Sequence, residues 1–447
     1  MEEENRSPSP GDVMFGHVPD WLNSGFFEKA LRDGLGDPGL RVSGCEVKSA
    51  IGKGENYVSV VYAAKVTTAA KGEGSVQHHL IIKCLPSNKA RKMMSNKAEF
   101  FRKEVDMYEL VFPQYHRLAG GGALPWPRLF RSLFDGERDF LVLEDLRVAG
   151  YTMHDRLAGL DAEHLTVALR ALARFHAFSY ALKLKEPEVF RAKVYDLFPE
   201  TMFSVNSKGM IEVFVRNAFQ DTAAVIREWA DDKYDVITDW MDSSRDGITG
   251  VIIRLLSPDD PGAVLNHGDF WTNNMLFRHS SEGPEDNVKL LDFQISRVCS
   301  PAADLSYLMT TSITAAVCKA HWDNLLRTEY LRTFWDTLGT LGARNLASES
   351  QPDLYSWPWL QSEILRFRPF ALVTAFTTTQ VILTEESHVP DMDSMTEEQL
   401  TGQVDHNPFS DLSKGKQYQV RLRGMLDGFL EEGLFQRGKG PGSVWGV

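Results

Sequence analysis

The hydrophobic period of this chain changes once, near residue 147, and that change limits what it can fold into. Ahead of it lie short apolar runs at Val42 to Ala50, Val58 to Val66, His79 to Cys84, Leu129 to Phe134 and Phe140 to Leu143. Polar turns such as Lys71-Gly72-Glu73-Gly74 and Asp135-Gly136 separate them, which is the pattern of strands joined by tight connections. One helical stripe interrupts the series, with Phe101, Val105, Tyr108 and Phe112 spaced by four, three and four, before Gly120-Gly121-Gly122 breaks the chain. Beyond Glu144-Asp145-Leu146 the pattern is one of long helices, opening with Ala162 to Leu184 and its stripe Leu165, Leu169, Leu172 and His176. The expectation is an α+β protein with a small N-terminal antiparallel sheet plus helix and a larger, mainly helical C-terminal part.

The boundaries read as a tail over residues 1–16, containing Ser7-Pro8-Ser9-Pro10-Gly11, an N-terminal lobe over 17–147, a C-terminal lobe over 148–432 and a second tail over 433–447. Asp20 is placed to cap a first helix running through Phe27 and Leu31. Residues 198–260 carry helical patterning without a motif and read as an insertion that shapes a substrate pocket. Residues 312–383 are again helical, with Tyr355-Ser356-Trp357-Pro358-Trp359 leading into a helix near Gln361. Residues 384–416 are polar and loop-like, and Lys416 to Glu432 reads as a last helix.

Composition narrows the partners. With 61 acidic against 48 basic side chains in 447 residues the formal charge is −13, which disfavours DNA or RNA as a ligand. The start, Met1-Glu2-Glu3-Glu4, is acidic where a secretory signal is basic. Pro369 to Leu383 falls short of the roughly 18 to 20 apolar residues of a membrane span. Cys45, Cys84, Cys299 and Cys318 have neither zinc-site nor disulfide-framework spacing. A cytoplasmic protein with reduced thiols, no membrane span and no evident protein partner is expected.

Two polar-dense stretches carry the chemistry. His267-Gly268-Asp269-Phe270-Trp271-Thr272-Asn273-Asn274 places a carboxylate after His-Gly and a carboxamide five residues on. Asp292-Phe293-Gln294 follows the apolar run Val288-Lys289-Leu290-Leu291, so a second carboxylate ends a short strand. A base for an attacking hydroxyl, together with hard oxygen ligands for magnesium, is what phosphoryl transfer from ATP requires. Asp269 is the candidate base, and Asn274 and Asp292 are the candidate metal ligands. Alone, each would be an ordinary loop or capping residue.

These stretches, with Leu290-Leu291-Asp292-Phe293-Gln294-Ile295-Ser296-Arg297 and Ser300-Pro301-Ala302-Ala303-Asp304-Leu305, resemble the ecdysteroid kinase-like family. That family, also called CHK-kinase-like, is a branch of the protein-kinase-like superfamily related to aminoglycoside phosphotransferases and choline kinases. The resemblance, supported by segments from about Ile51 to Ile382, implies a two-lobe protein-kinase-like fold and ATP and Mg2+ as cofactors. It further implies that Lys83, in Leu80-Ile81-Ile82-Lys83-Cys84, meets the α/β-phosphates with Glu104 as its ion-pair partner. The bland alternative is a snorkelling strand lysine and a solvated glutamate. Ile51-Gly52-Lys53-Gly54-Glu55-Asn56-Tyr57 would cover the nucleotide with Gly52, Gly54 and Asn56, or be a plain hairpin turn. Leu141 to Leu146 resembles the hinge that reads adenine, at Glu144 and Leu146.

His267 is expected to brace the loop against Phe293, His176 to be a satisfied core histidine, and Asp304 to cap its helix and tie down the catalytic loop. Two departures point to the acceptor class. Trp271 stands where protein Ser/Thr kinases carry a lysine, and only eleven residues separate Asp292 from Asp304, too few for a peptide platform. A hydroxylated small molecule, an ecdysteroid or a xenobiotic, is therefore the expected acceptor. The alternatives are a choline- or aminoglycoside-type kinase with a cationic acceptor, and a nucleotide-binding pseudokinase scaffold. Intact Lys83, Glu104, Asp269, Asn274 and Asp292 speak against the scaffold.

Overall fold

A computed structural model describes residues 18–50, 59–69, 74–85, 99–121, 124–136, 138–203, 208–281, 283–284, 287–385 and 412–435. The chain divides into two compact units, one of residues 1–86 and 128–149, the other of 87–127 and 150–447. The protein is α+β.

Among the described residues the first unit is a five-stranded antiparallel sheet with one α-helix, α1 (Ser24–Leu35). Its strands are β1 (Val42–Ser49), β2 (Val60–Ala69), β3 (Ser75–Cys84), β4 (Leu129–Leu133) and β5 (Phe140–Glu144), in the spatial order β1-β2-β3-β5-β4. The final hairpin is therefore reversed relative to a simple meander. Alternation along β3 buries Leu80 and Ile82, which join Val66, Val142, Phe27 and Leu31 in one core. Asn23, not Asp20, caps α1: its Oδ1 accepts the N–H groups of Gly25 at 3.1 Å and Phe26 at 3.2 Å. Asp20 instead offers its carbonyl to the Asn23 amide at 3.0 Å.

The helix carrying the Phe101, Val105, Tyr108 and Phe112 stripe belongs by its contacts to the second unit, although the sequence pattern placed it with the sheet. All four stripe residues are buried. It starts as Phe100–Asp106, widens over Met107–Val111 and continues as Phe112–Leu118. Pro113, which has no N–H to give the preceding turn, is the second residue after the wide segment.

In the second unit the helix Ala162–Lys185 is buried along most of its length, capped by Asp161, whose side chain accepts the His164 N–H at 2.9 Å. It is a core helix around which others gather. Helices Lys208–Glu228, Asp235–Ser244 and Ile248–Leu255 fill the region expected to be helical, and a further series runs from Ala302 to Ile382. The helix expected near Gln361 begins at Trp357, capped by Ser356. The last helix among the described residues is Lys416–Glu431. Among the described residues no helix is long and apolar enough to cross a membrane.

Candidate active site

Two loops of the second unit lie side by side because the strands that carry them pair. His267 to Asn274 connects Val264–Asn266 to Met275–Phe277, and Leu291 to Ser296 connects Lys289–Leu290 to Arg297–Cys299. Arg297 stands opposite Asn266, and Leu290 opposite Met275. One more backbone bond, from Leu291 N–H to the Asn274 carbonyl at 2.9 Å, carries the pairing to the residue before Asp292.

These strands are only two or three residues long, so side chains supply most of the remaining precision. Asp304 is the central one. Its carboxylate accepts the N–H groups of His267 at 2.7 Å and Gly268 at 2.8 Å, and meets His176 Nε2 at 3.1 Å. The other His176 nitrogen bonds the Tyr330 hydroxyl at 2.8 Å. His176 is thus the satisfied core histidine its stripe suggested. Burial pushes the Asp304 carboxyl upward, but the bond and charge of His176 and the Gly268 N–H outweigh it, and its pKa lies below the ordinary value. Asp304 ties down the loop as expected yet does not cap its helix, whose N-cap is Pro301.

Gly268 is required by space as well as conformation. Its φ is +87°, and a Cβ there would lie 2.1 Å from the Ile295 carbonyl oxygen. His267, fully buried, has its ring 4.7 Å from that of Phe293, which also meets Phe112 at 4.9 Å and Phe175 at 5.8 Å. The loop is braced as anticipated, and burial lowers the His267 pKa so that the ring stays neutral.

Asp269 is held at both oxygens. Oδ1 accepts the Tyr307 hydroxyl at 2.6 Å and Oδ2 the Asn274 amide N–H at 2.8 Å, while the same amide reaches the Asp269 carbonyl at 2.9 Å. Burial, then the nearby Asp292 charge, push its carboxyl up to about 6, against the opposing donors Tyr307 and Asn274. Asp292 itself has φ +66°, a conformation that aspartate tolerates better than most residues. The structure therefore brings Asp269, Asn274 and Asp292 together. Because the Asn274 nitrogen faces Asp269, its amide oxygen is the atom left for a cation. That oxygen and the Asp292 carboxylate are hard donors of the kind magnesium takes, usually alongside phosphate oxygens and water. Among the described residues no three His, Cys, Asp or Glu side chains form a metal-binding group of their own.

The other predicted residues are placed as follows. Lys83 is buried on β3, in register with Val61 of β2 and Leu141 of β5, within the first unit. Glu104 is buried on Phe100–Asp106 in the second unit, where its charge and that of Asp292 both raise the pKa of the buried Tyr108 phenol, after burial itself. Glu144 ends β5, and Leu146 opens a short turn of helix. Gly52, Gly54 and Asn56 lie outside the described residues.

Sequence reasoning missed Tyr307. The signal was present: Asp304 and Tyr307 are three apart on the helix Ala302–Ser312 and so share the face that meets the Asp269 loop. It also missed Lys103, whose burial no stripe announces.

The model of the ecdysteroid kinase-like family matches residues 53–343. The chain belongs to the ecdysteroid kinase-like family. Its class is accordingly that of an ATP-dependent small-molecule kinase. No curated protein matches it significantly. Among solved structures, a candidate fructosamine-3-kinase from Haemophilus somnus 129PT is 12% identical, with 86% of this chain and 98% of that one covered and a TM-score of 0.33. A glucosamine kinase in complex with glucosamine, ADP and inorganic phosphate is 13% identical, covering 87% of this chain and all of its own, at a TM-score of 0.31.

Proposed function

We propose that this protein transfers the γ-phosphoryl group of ATP to a hydroxyl of a small organic molecule, an ecdysteroid or a xenobiotic, in the cytoplasm. The observation that carries the reading is Asp269, fixed between Tyr307 and Asn274 at 2.6 and 2.8 Å beside Asp292, in a member of this family. The acceptor oxygen attacks the γ-phosphorus, the bond to the ADP oxygen breaks, and the acceptor proton passes to the Asp269 carboxylate. Magnesium, when bound by Asn274 and Asp292, would offset phosphate charge.

Lys83 would meet the α/β-phosphates with Glu104 as its partner, and Gly52, Gly54 and Asn56 would cover the phosphates. The N–H groups of Glu144 and Asp145 already bond the Arg128 and His79 carbonyls at 2.9 and 3.1 Å. An adenine edge would therefore be read at the Leu146 N–H and the Glu144 carbonyl. A reducing cytoplasm suits four cysteines without a disulfide among them.

The test is incubation with magnesium ATP and a panel of hydroxylated steroids, plant phenolics and choline, with products read by mass spectrometry. Phosphorylated steroid or phenol is expected. ATP binding without product from any acceptor would replace this reading with the scaffold.

A further inference from the structure

A buried charge cluster in the second unit is not used by the chemistry above. Lys103, 2% exposed, donates to the carbonyls of Pro199 and Ser296 and to the Thr201 hydroxyl, the last two at 3.1 Å. Arg297, 3% exposed, pairs with the Glu200 carboxylate and donates through Nη2 to the Gly268 carbonyl at 3.0 Å. Glu200 also accepts the Phe203 N–H at 2.9 Å, and the Ser296 hydroxyl donates to the His267 carbonyl at 3.0 Å.

Withdrawing an ion from water costs several kcal/mol, and the mutual attraction of buried ions often only breaks even against well-packed apolar side chains. Stability is therefore a weak reason for two buried charges and a third, Glu200, whose side chain is 11% exposed. What they do supply is geometry, because nearly every bond in the cluster runs between separate segments. Those segments are the helix Phe100–Asp106, the stretch Pro199–Phe203, the turn His267-Gly268 and the pair Ser296-Arg297. Three of the four lie close in sequence to a residue of the site: Lys103 precedes Glu104, Gly268 precedes Asp269, and Ser296 lies four residues after Asp292.

We propose that Lys103, Glu200 and Arg297 are positioning residues that hold these four segments in a single arrangement. In that arrangement Pro199–Phe203, at the entry to the helical region 208–255, sets the geometry of the Asp269 and Asp292 loops and of the Glu104 helix together. What is positioned rests on the kinase reading; the coupling between segments does not. Displacing the segment by removing one charge moves the other three, and a misplacement of about 1 Å in a reacting group is enough for a loss on the order of a hundredfold.

The experiment uses Lys103→Met, the near-isosteric Glu200→Gln, the double variant and Glu200→Asp, each in the full chain. Two readouts are taken: hydrogen exchange by mass spectrometry over the four segments, and the kcat and KM of magnesium ATP hydrolysis without acceptor. Each single variant is expected to speed exchange in all four segments together and to lower kcat about 10- to 100-fold, with KM for ATP within about twofold. The double variant should be no worse than the worse single one, and Glu200→Asp should recover part of the loss. Faster exchange confined to the substituted segment, or kcat within about twofold of wild type in Glu200→Gln, would overturn the proposal. Coupled exchange in a wild-type protein with no turnover would uphold the coupling and count against the kinase reading instead.

Discussion

The region that holds Lys83 and the region that holds Asp269 and Asp292 are built in opposite ways. Lys83 stands on a ten-residue strand whose backbone ladder runs from Val60 paired with Cys84 to Ala69 paired with Ser75, with β5 on its other side. Asp269 and Asp292 stand on loops whose flanking strands are two or three residues long. In the sheet, hydrogen bonds common to any sequence place the side chain. In the loops, particular buried side chains do it: Asp304, Arg297, Ser296 and Tyr307 all reach into one eight-residue stretch. Precision in the second region is therefore exposed to single substitutions in a way the first is not.

The largest expected effect attacks that asymmetry. Asp304→Ala leaves two backbone N–H groups and His176 without their buried acceptor, and should destabilise the second unit by about 3–5 kcal/mol. Thr68→Val, at a buried polar site of the sheet where the hydroxyl meets His78 at 3.1 Å, should change stability by about 1 kcal/mol or less. Calorimetric unfolding of both variants checks this, and equal losses would break the comparison. Next comes Asp269→Asn, expected to lower turnover by about 10²- to 10⁴-fold while ATP still raises the unfolding temperature. Near-normal turnover in that variant would remove Asp269 from the base position.

What the sequence disclosed follows the same division. The strands, the turns between them and the apolar faces are local properties, so β1 to β5 and the stripe Phe101, Val105, Tyr108 and Phe112 were legible. The reversed order of β4 and β5 was not, because pairing depends on contacts far apart in sequence. Asp269, Asn274 and Asp292 were legible as residue types in a stretch too polar for a core, and the family resemblance concurs. Tyr307 and Lys103 were overlooked: Tyr307 was signalled only by its three-residue spacing from Asp304, Lys103 lies off the apolar stripe of its helix, and each gains its meaning from a partner 38 or more residues away. The cap of α1 was misread for a simpler reason: Asp20 and Asn23 are both good capping types, and geometry chose the second.

A smaller effect separates the two proposed metal ligands. Asp292 brings charge as well as an oxygen, whereas Asn274 brings an oxygen and a bond to Asp269 at 2.8 Å. Asp292→Ala should abolish the magnesium-dependent part of ATP stabilisation and Asn274→Ala only weaken it, as read by thermal-shift titration with and without magnesium. The reverse order would mean that the loop geometry held by Asn274 matters more than the carboxylate, sharpening the contrast with the sheet.

The expected effect that is smallest per step of the measurement lies in the pH dependence of stability, at Lys103. Burial, the largest influence, lowers its pKa from 10.5 to about 8; the Glu200 and Glu99 carboxylates work against this and the Arg297 charge works with it. Between these two values the unfolded chain binds a proton that the folded protein does not, so stability should rise with pH across that window. Below about pH 8 both states carry the charge, and its burial penalty is present in full. Lys103→Met has no such group, so the stability difference between wild type and variant should move in favour of wild type from about pH 8 to 10.5. The slope cannot exceed about 1.4 kcal/mol per pH unit, the limit for one proton. Denaturant titrations of both proteins at several pH values measure it. Parallel curves would show that Lys103 titrates as a solvated lysine does, and an opposite slope would mean that Glu200 and the three acceptors stabilise the ammonium more than burial penalises it.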